Sequence, residues 1–191
     1  MKKGLKILVA LIIIIAIIGV IGFIYNKNSK PKSNFVDITS PDELAQIVTK
    51  VYEGNEELYS SLQTQTIDIS DSEVVKSFTG LENGANIEFM VASEPMMSSQ
   101  AYSFVLLKLK DGVNADEIAE KIKDNVDERK WICVTAEKVY TTSSDNIVCL
   151  VMSNEEMAKP VYEKFKMLAG VVGQEFEKTA EEPEIPEDIV Q

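Results

Sequence analysis

The side chains that most enzymes use for proton transfer and metal binding are sparse in this chain. It contains no histidine, which excludes Ser-His-Asp and Cys-His catalysis and histidine-ligated zinc. Serine and threonine are plentiful, but no motif places a base beside them. Among the 31 acidic residues, no isolated pair stands out from a generally acidic surface. We therefore predict no catalytic residues, no metal site and no cofactor, and we expect that the protein is not an enzyme.

The two cysteines, Cys133 and Cys149, are too few for a metal site and lack the paired spacing of one. Each lies in an apolar run typical of a β-strand. A hairpin that turns near residues 142–145 places Cys133 opposite a residue near Asn154 and Cys149 opposite one near Lys138, so the thiols are too far apart to bridge. We predict two free, buried cysteines. A structural disulfide is the alternative, which an oxidising compartment would favour.

Two segments contain side chains suited to recognition. The first, residues 93–100 (SEPMMSSQ), contains Glu94, Met96 and Met97. Exposed thioethers suit adaptable contacts in a binding loop. The simpler interpretation, which we prefer, is a connection between strands whose methionines fold back over the core.

The second segment, residues 127–131 (DERKW), contains the only arginine, Arg129, and the only tryptophan, Trp131. An arginine stacked on a tryptophan can form a recognition surface, but local packing is again the simpler interpretation. The weak candidates for an interaction site are Glu94, Met96, Met97, Arg129 and Trp131.

An apolar run near the N-terminus locates the protein. Residues 5–25, LKILVALIIIIAIIGVIGFIY, contain one charge, Lys6. About 20 apolar residues match a hydrocarbon core of about 30 Å, so the run predicts a transmembrane signal anchor after a short tail, residues 1–4. A cleaved signal peptide is the alternative, but its apolar core is shorter and small residues follow it. The short N-terminal side favours a single-pass protein of the cell membrane, with a cytoplasmic N-terminus and the C-terminal domain outside.

The charge distribution narrows the partners. All 31 acidic residues follow the apolar run, and the chain has a formal net charge of −12. Phosphate binding depends on clustered lysine and arginine, so we expect no nucleic-acid partner. The partners that we expect are the lipid bilayer, through residues 5–25, and an unknown envelope protein or component.

Periodicity predicts one α+β domain, residues 40–172. It follows a juxtamembrane linker, residues 26–39, and precedes an acidic, disordered tail, residues 173–191. Ser40 as N-cap, with proline next, starts a helix over 40–53, and a second clear helix covers 114–126. The residues predicted to be buried on these helices are Leu44, Ile47, Val51, Ile118 and Ile122.

Alternating apolar and polar residues predict strands at 86–92, 101–110, 131–140 and 146–152. Each pair of strands precedes a helix, so a strand-strand-helix unit occurs twice. Either duplication or shared periodicity produces this order. The fold class that we predict is α+β, with a small two-layer domain: an antiparallel sheet of about four strands with helices on one face.

Three segments, residues 92–96 (ASEPM), 130–134 (KWICV) and 148–152 (VCLVM), carry a resemblance to a group of known proteins. Across residues 87–168 the chain resembles uncharacterised membrane-anchored envelope proteins of low-GC Gram-positive bacteria, which have a single α+β domain of unknown function. The resemblance implies an envelope location and carries no activity, because none is assigned to that group. Where members of that group use a lipid-bearing cysteine, this chain has the apolar run.

These observations favour a membrane-tethered extracytoplasmic domain, a non-enzymatic binding or interaction module at the cell envelope. The alternative is a carboxylate-dependent extracytoplasmic hydrolase that acts on cell-wall glycans. Such an enzyme needs two carboxylates about 5–10 Å apart across a cleft. A groove lined by acidic residues with aromatic walls would support the hydrolase, and a convex, filled domain would support the binding module.

Overall fold

The computed structural model describes residues 32–35, 37–97, 99–131 and 133–180. The predicted anchor, residues 5–25, lies outside these ranges. Within them, no helix is long and apolar enough to cross a membrane. The elements in chain order are α1 (Pro41–Tyr52), α2 (Glu56–Tyr59), β1 (Leu62–Ile67), α3 (Ser72–Thr79), β2 (Ile87–Pro95), β3 (Ser103–Leu109), α4 (Ala115–Asn125), β4 (Lys138–Ser144), β5 (Ile147–Ser153), α5 (Glu155–Ala169) and β6 (Glu175–Thr179).

The strands form one antiparallel sheet in the order β1-β2-β3-β5-β4-β6. The α+β class and the antiparallel sheet are therefore confirmed, but the sheet has six strands rather than about four. The two extra strands lie at its edges. Of these, β6 lies in the segment that was predicted to be a disordered tail. The compact unit that contains the sheet starts at Ser33.

Helices cover both faces of the sheet, so the prediction of helices on one face is wrong. Phe104 and Leu106 of β3 pack with α1 and α5. Their neighbours Val105 and Leu107 pack with α3 and α4. The cause is the composition of the central strands β3 and β5, which are apolar on both faces and must be covered on both.

The two clearest helices form as predicted. The Ser40 hydroxyl accepts a hydrogen bond from the Glu43 amide at 3.3 Å and caps α1. The Glu43 carboxylate accepts from the Thr39 amide, one residue before the N-cap. All five residues that were predicted to be buried on α1 and α4 are buried: Leu44, Ile47, Val51, Ile118 and Ile122.

The hairpin of β4 and β5 turns at Asp145, the last residue of the predicted range, and its φ of 55° is left-handed. Cys149 lies opposite Thr142 rather than opposite a residue near Lys138. Cys133 itself and residues 134–136 are not in a strand. Cys133 is exposed, which contradicts its predicted burial, whereas Cys149 is buried as expected, and both thiols are free.

The repeated element order does not extend to the packing. β3 and β5 are antiparallel neighbours, and a two-fold rotation that superposes them leaves each face of the sheet unchanged. A true repeat would therefore place the helices that follow these strands on the same face. Instead, Ile118 and Ile122 of α4 lie on one face, and Val161 and Phe165 of α5 lie on the other. Shared periodicity accounts for the repeated order.

The chain enters the domain at the end of the sheet where β4 and α5 terminate. The Ser144 hydroxyl donates to the Ser33 hydroxyl oxygen at 2.7 Å, and the Asn34 amide donates to the Ala169 carbonyl at 2.9 Å. The ring of Phe35 lies 5.3 Å from that of Phe165. These contacts fix residues 33–35 to the α1/α5 side of the sheet.

Candidate functional site

The opposite end of the strands brings together both recognition segments. Glu94, near the end of β2, accepts a hydrogen bond from Ser103 at the start of β3, at 2.5 Å. Lys130 donates to the same carboxylate oxygen and lies 3.4 Å from the Ser103 hydroxyl. Only 14 % of the Lys130 side chain and 19 % of that of Glu94 are exposed. Burial lowers the pKa of Lys130 because its charge loses water, and the Glu94 carboxylate opposes that shift.

Further contacts hold the 127–131 segment across the sheet. The Glu128 carboxylate accepts from Lys178 of β6 at 2.8 Å. The Glu128 carbonyl accepts from the Ala136 amide at 2.9 Å. The Lys130 ammonium lies 4.7 Å from the centre of the Phe78 ring and 5.3 Å from that of Trp131. The segment is therefore held on both the β2 side and the β6 side of the sheet. Among the described residues between this segment and β4, none belongs to a strand.

The structure places the sequence candidates in different surroundings. Met96 and Met97 are 78 % and 72 % exposed, so the interpretation that they fold back over the core is wrong. Trp131 is buried beneath Lys130, and Arg129 is exposed on the same segment. Glu94 is the link between the two segments.

Sequence reasoning missed Lys130, the residue that joins the segments. Nothing distinguishes it in the sequence from the many other lysines. The one available signal is its position beside Trp131 in a charged segment, because a lysine that precedes a buried aromatic residue is itself drawn toward the core.

The Ser103–Lys130 contact has the composition of a nucleophile and a base, but its setting is that of a structural contact. Ser103 is fully buried, and the Lys130 ammonium is paired with Glu94. A nucleophile must be reachable by a substrate and activated by a base that can take up its proton. The cluster instead fixes the base of the Met96–Met97 loop.

The hydrolase alternative requires an acidic groove with aromatic walls. One groove, of about 220 Å³, is lined by glutamates and aromatic side chains. Glu175 accepts from Lys166 at 2.8 Å, and Glu177 accepts from Lys138 at 2.6 Å. Both carboxylates are therefore engaged in ion pairs with lysines, whereas the general acid of a glycosidase must donate a proton to the leaving group. The lining residues are Tyr140, Lys159, Tyr162, Glu163, Glu175, Phe176 and Glu177.

The aromatic walls of the groove are also occupied. The rings of Tyr140 and Tyr162 stack on each other with centres 5.1 Å apart, and both residues are buried. Their faces are therefore not presented to a sugar ring. The groove is an ion-paired surface between α5 and β6 and does not have the geometry of a glycosidase site.

A cleft of about 580 Å³ lies between the C-terminal ends of α3 and α4. Its floor includes Ile87 and Leu109, and Lys76 and Lys121 line its rim. Helix C-termini present carbonyl groups that disfavour anions and attract cations. Of the two lysines, only Lys76 lies in the last turn of its helix, where its charge offsets the helix dipole.

Across the described ranges, no group of three or more His, Cys, Asp or Glu side chains is arranged to hold a metal ion. Comparison with known protein families, with curated proteins and with solved structures gave no match to this chain. The resemblance to Gram-positive envelope proteins stays a prediction from the sequence.

Proposed function

We propose that this protein is a membrane-tethered, extracytoplasmic binding module. In this proposal residues 5–25 anchor it with the N-terminus in the cytoplasm, and the domain that begins at Ser33 lies outside. The domain binds an envelope protein through Met96 and Met97. The observation that carries the proposal is an adjacent pair of exposed methionines on a loop whose base is held by a buried ion pair.

The loop is fixed on both sides of the methionines. On one side Glu94 pairs with Lys130, and on the other the Gln100 amide lies 3.1 Å from the Met157 sulfur. Contacts that hold both sides of the loop before binding reduce the conformational entropy that is lost when a partner docks. Thioethers at its tip adapt to an apolar surface without a fixed shape.

The charge of the chain suggests the chemistry of the partner. An acidic domain, in a chain with a net charge of −12, repels acidic surfaces and attracts basic ones. The partner in this proposal therefore presents an apolar patch for the methionines, surrounded by basic residues. Because the attraction acts between exposed charges, raising the salt concentration is expected to slow association of the domain with its partner.

The hydrolase is the second candidate, and it has less support. The glutamates of the groove are paired with lysines, and the tyrosine faces are buried. No catalytic step can be assigned to this arrangement.

Photo-crosslinking from the full-length chain in its native membrane tests the binding surface. A photoreactive residue replaces Met97 in one variant and Met167 in the control. Met167 is a matched control because it is also an exposed methionine, at 63 %, but it lies on α5. We expect one discrete adduct from position 97 that is absent at position 167. The same adduct from both positions, or none from position 97, would refute the proposal.

Protease treatment of cells stripped of their wall tests the topology. We expect digestion of the domain and survival of a short membrane-bound fragment. Full protection of the domain would place it in the cytoplasm. A soluble form trimmed at its N-terminus would show that the apolar run is a cleaved signal peptide.

A further inference from the structure

The sheet is open and ends in two edge strands of different composition. The sequence of β1, LQTQTI, contains no charge, proline or glycine. Its register with β2 is continuous from Leu62 opposite Pro95 to Ile67 opposite Met90, and residues 63–66 are exposed. Among the described strands β1 pairs only with β2. Alternate residues of such an edge present backbone N–H and C=O groups outward, which makes it a template for another strand.

The other edge is protected. β6 contains Glu175, Glu177 and Lys178 in five residues. Charged side chains on an edge oppose pairing with a second strand because they must lose water or face a like charge. β1 has no such protection, although the chain is rich in acidic residues elsewhere.

The sequence of β1 is also complementary to itself. A two-fold axis perpendicular to the sheet places one residue opposite its own copy. Centred on Thr64, it sets Thr64 opposite Thr64 and Gln63 opposite Gln65. Hydroxyl and amide pairs of this kind hydrogen-bond across strands. The same operation centred on Glu177 of β6 would set two carboxylates face to face.

We propose that a second copy of this chain pairs with β1 in the antiparallel sense, so that the two sheets become one continuous sheet. The two-fold axis keeps the α1/α5 side of both copies on the same face of that sheet. Residues 33–35 lie on this side, with Phe35 against Phe165. Both chains therefore enter the dimer from one side.

That geometry suits two copies anchored in one membrane. The shared membrane rests on the proposed function, whereas the strand pairing does not. Residues 26–32 separate the apolar run from Ser33 and reach about 25 Å at most. A six-residue edge buries less area than a standard stable interface. Confinement to one membrane offsets this by raising the effective concentration of each copy for the other.

Cysteine crosslinking of the full-length chain in its membrane tests the pairing. The background is Cys133→Ser, which removes the exposed thiol, since Cys149 is buried. Single cysteines replace Thr64 or Gln65. A residue opposite its own copy has a Cα separation of about 4.5–5.5 Å, which a disulfide spans. The control is Thr179→Cys on β6, an exposed threonine on the other edge.

We expect oxidation to give a species of twice the chain mass from position 64 or 65, and none from position 179. The position that crosslinks identifies the register. Adding a lysine on each side of that cysteine, Gln63→Lys with Gln65→Lys for position 64 or Thr64→Lys with Thr66→Lys for position 65, sets like charges opposite each other across the axis and should abolish the crosslink. The unfolding midpoint should not change, because these side chains are exposed.

Three results would overturn the pairing: no crosslink from residues 64 and 65, an equal crosslink from position 179, or persistence after the two lysine substitutions. An adduct with a different chain at β1 would also overturn it and would identify a foreign strand as the occupant. A Met97 adduct in the absence of any β1 crosslink would remove this pairing and leave the proposed function intact.

Discussion

Glutamate–lysine pairs occur in two regions of the domain that differ in burial. At the loop end, Glu94 and Lys130 are both largely covered, with 19 % and 14 % of their side chains exposed. Along β6, the Lys138 side chain is also only 20 % exposed, but its partner Glu177 is 51 % exposed. The same two chemical groups meet in both regions. Their surroundings decide what each pair does.

The pKa shifts of the two lysines have opposite directions. The pKa of Lys130 is lowered because burial removes water from its charge. The pKa of Lys138 is raised, chiefly by its hydrogen bond to Glu177. A buried pair is held in place because neither partner tolerates the loss of the other. An exposed pair contributes little, because water competes for both charges.

The cysteines give the largest expected contrast between a covered and an exposed site. Cys133 is exposed, whereas Cys149 is fully buried and its pKa is raised by burial. Alkylation under native conditions should add one label quickly, with the second about a thousandfold slower or more, since it requires opening of the core. The control Cys133→Ser should lack the fast label. Mass spectrometry distinguishes these states.

Two fast labels in the native protein would contradict the burial of Cys149. Failure of denatured protein to react without a reductant would show a disulfide instead of free thiols.

Lys130→Met should cause the largest loss of stability. It leaves the Glu94 carboxylate covered and without its lysine, at a loss of about 3–5 kcal/mol in the free energy of unfolding. The control is the double variant Glu94→Gln/Lys130→Met, which removes both charges and should recover most of the loss. Urea unfolding at neutral pH measures both. If the single variant matched the parent, the pair would not hold the loop.

Ile122→Ala provides a reference for burial without charge. Ile122 on α4 is fully buried against the sheet, so its truncation should destabilise the domain by about 2–5 kcal/mol. Met167→Ala is the matched control on a helix surface and should stay within about 0.5 kcal/mol of the parent. An Ile122→Ala variant as stable as the parent would show that α4 does not pack on the sheet.

Sequence reasoning succeeded where periodicity and capping agree. Ser40 and the spacing of Leu44, Ile47 and Val51 predicted α1, and Ile118 with Ile122 predicted α4. The antiparallel sheet followed from the order of the elements. These signals are local in the sequence, so they can be recognised without knowledge of the tertiary contacts.

The failures involve contacts between distant parts of the chain. Strands apolar on both faces do not reveal that a second helical layer covers them. β1 has too few apolar residues to signal a strand, and it forms because it pairs with β2. β6 forms in an acidic segment because it pairs with β4, and its charged side chains lie against Glu128, Lys138 and Lys166. The Glu94–Lys130 contact joins residues 36 positions apart, and no pattern in the sequence predicts it.

The same reasoning predicts the smallest effect, at the exposed pair on β6. Glu177→Gln should leave the urea midpoint at pH 7 within experimental error of the parent, because Lys138 keeps its contact with Thr179 at 2.8 Å and gains water. Whatever the pair contributes to stability should diminish as salt is added.

The expected dependence of stability on pH follows from the direction of the shift in the pKa of Lys138. A lysine whose pKa is raised on folding contributes stability below its ordinary pKa of 10.5, and that contribution disappears as the pH rises through the raised value. The parent and Glu177→Gln should therefore converge in alkaline solution. A loss at pH 7 as large as that of Lys130→Met would show that burial is not what separates the two regions.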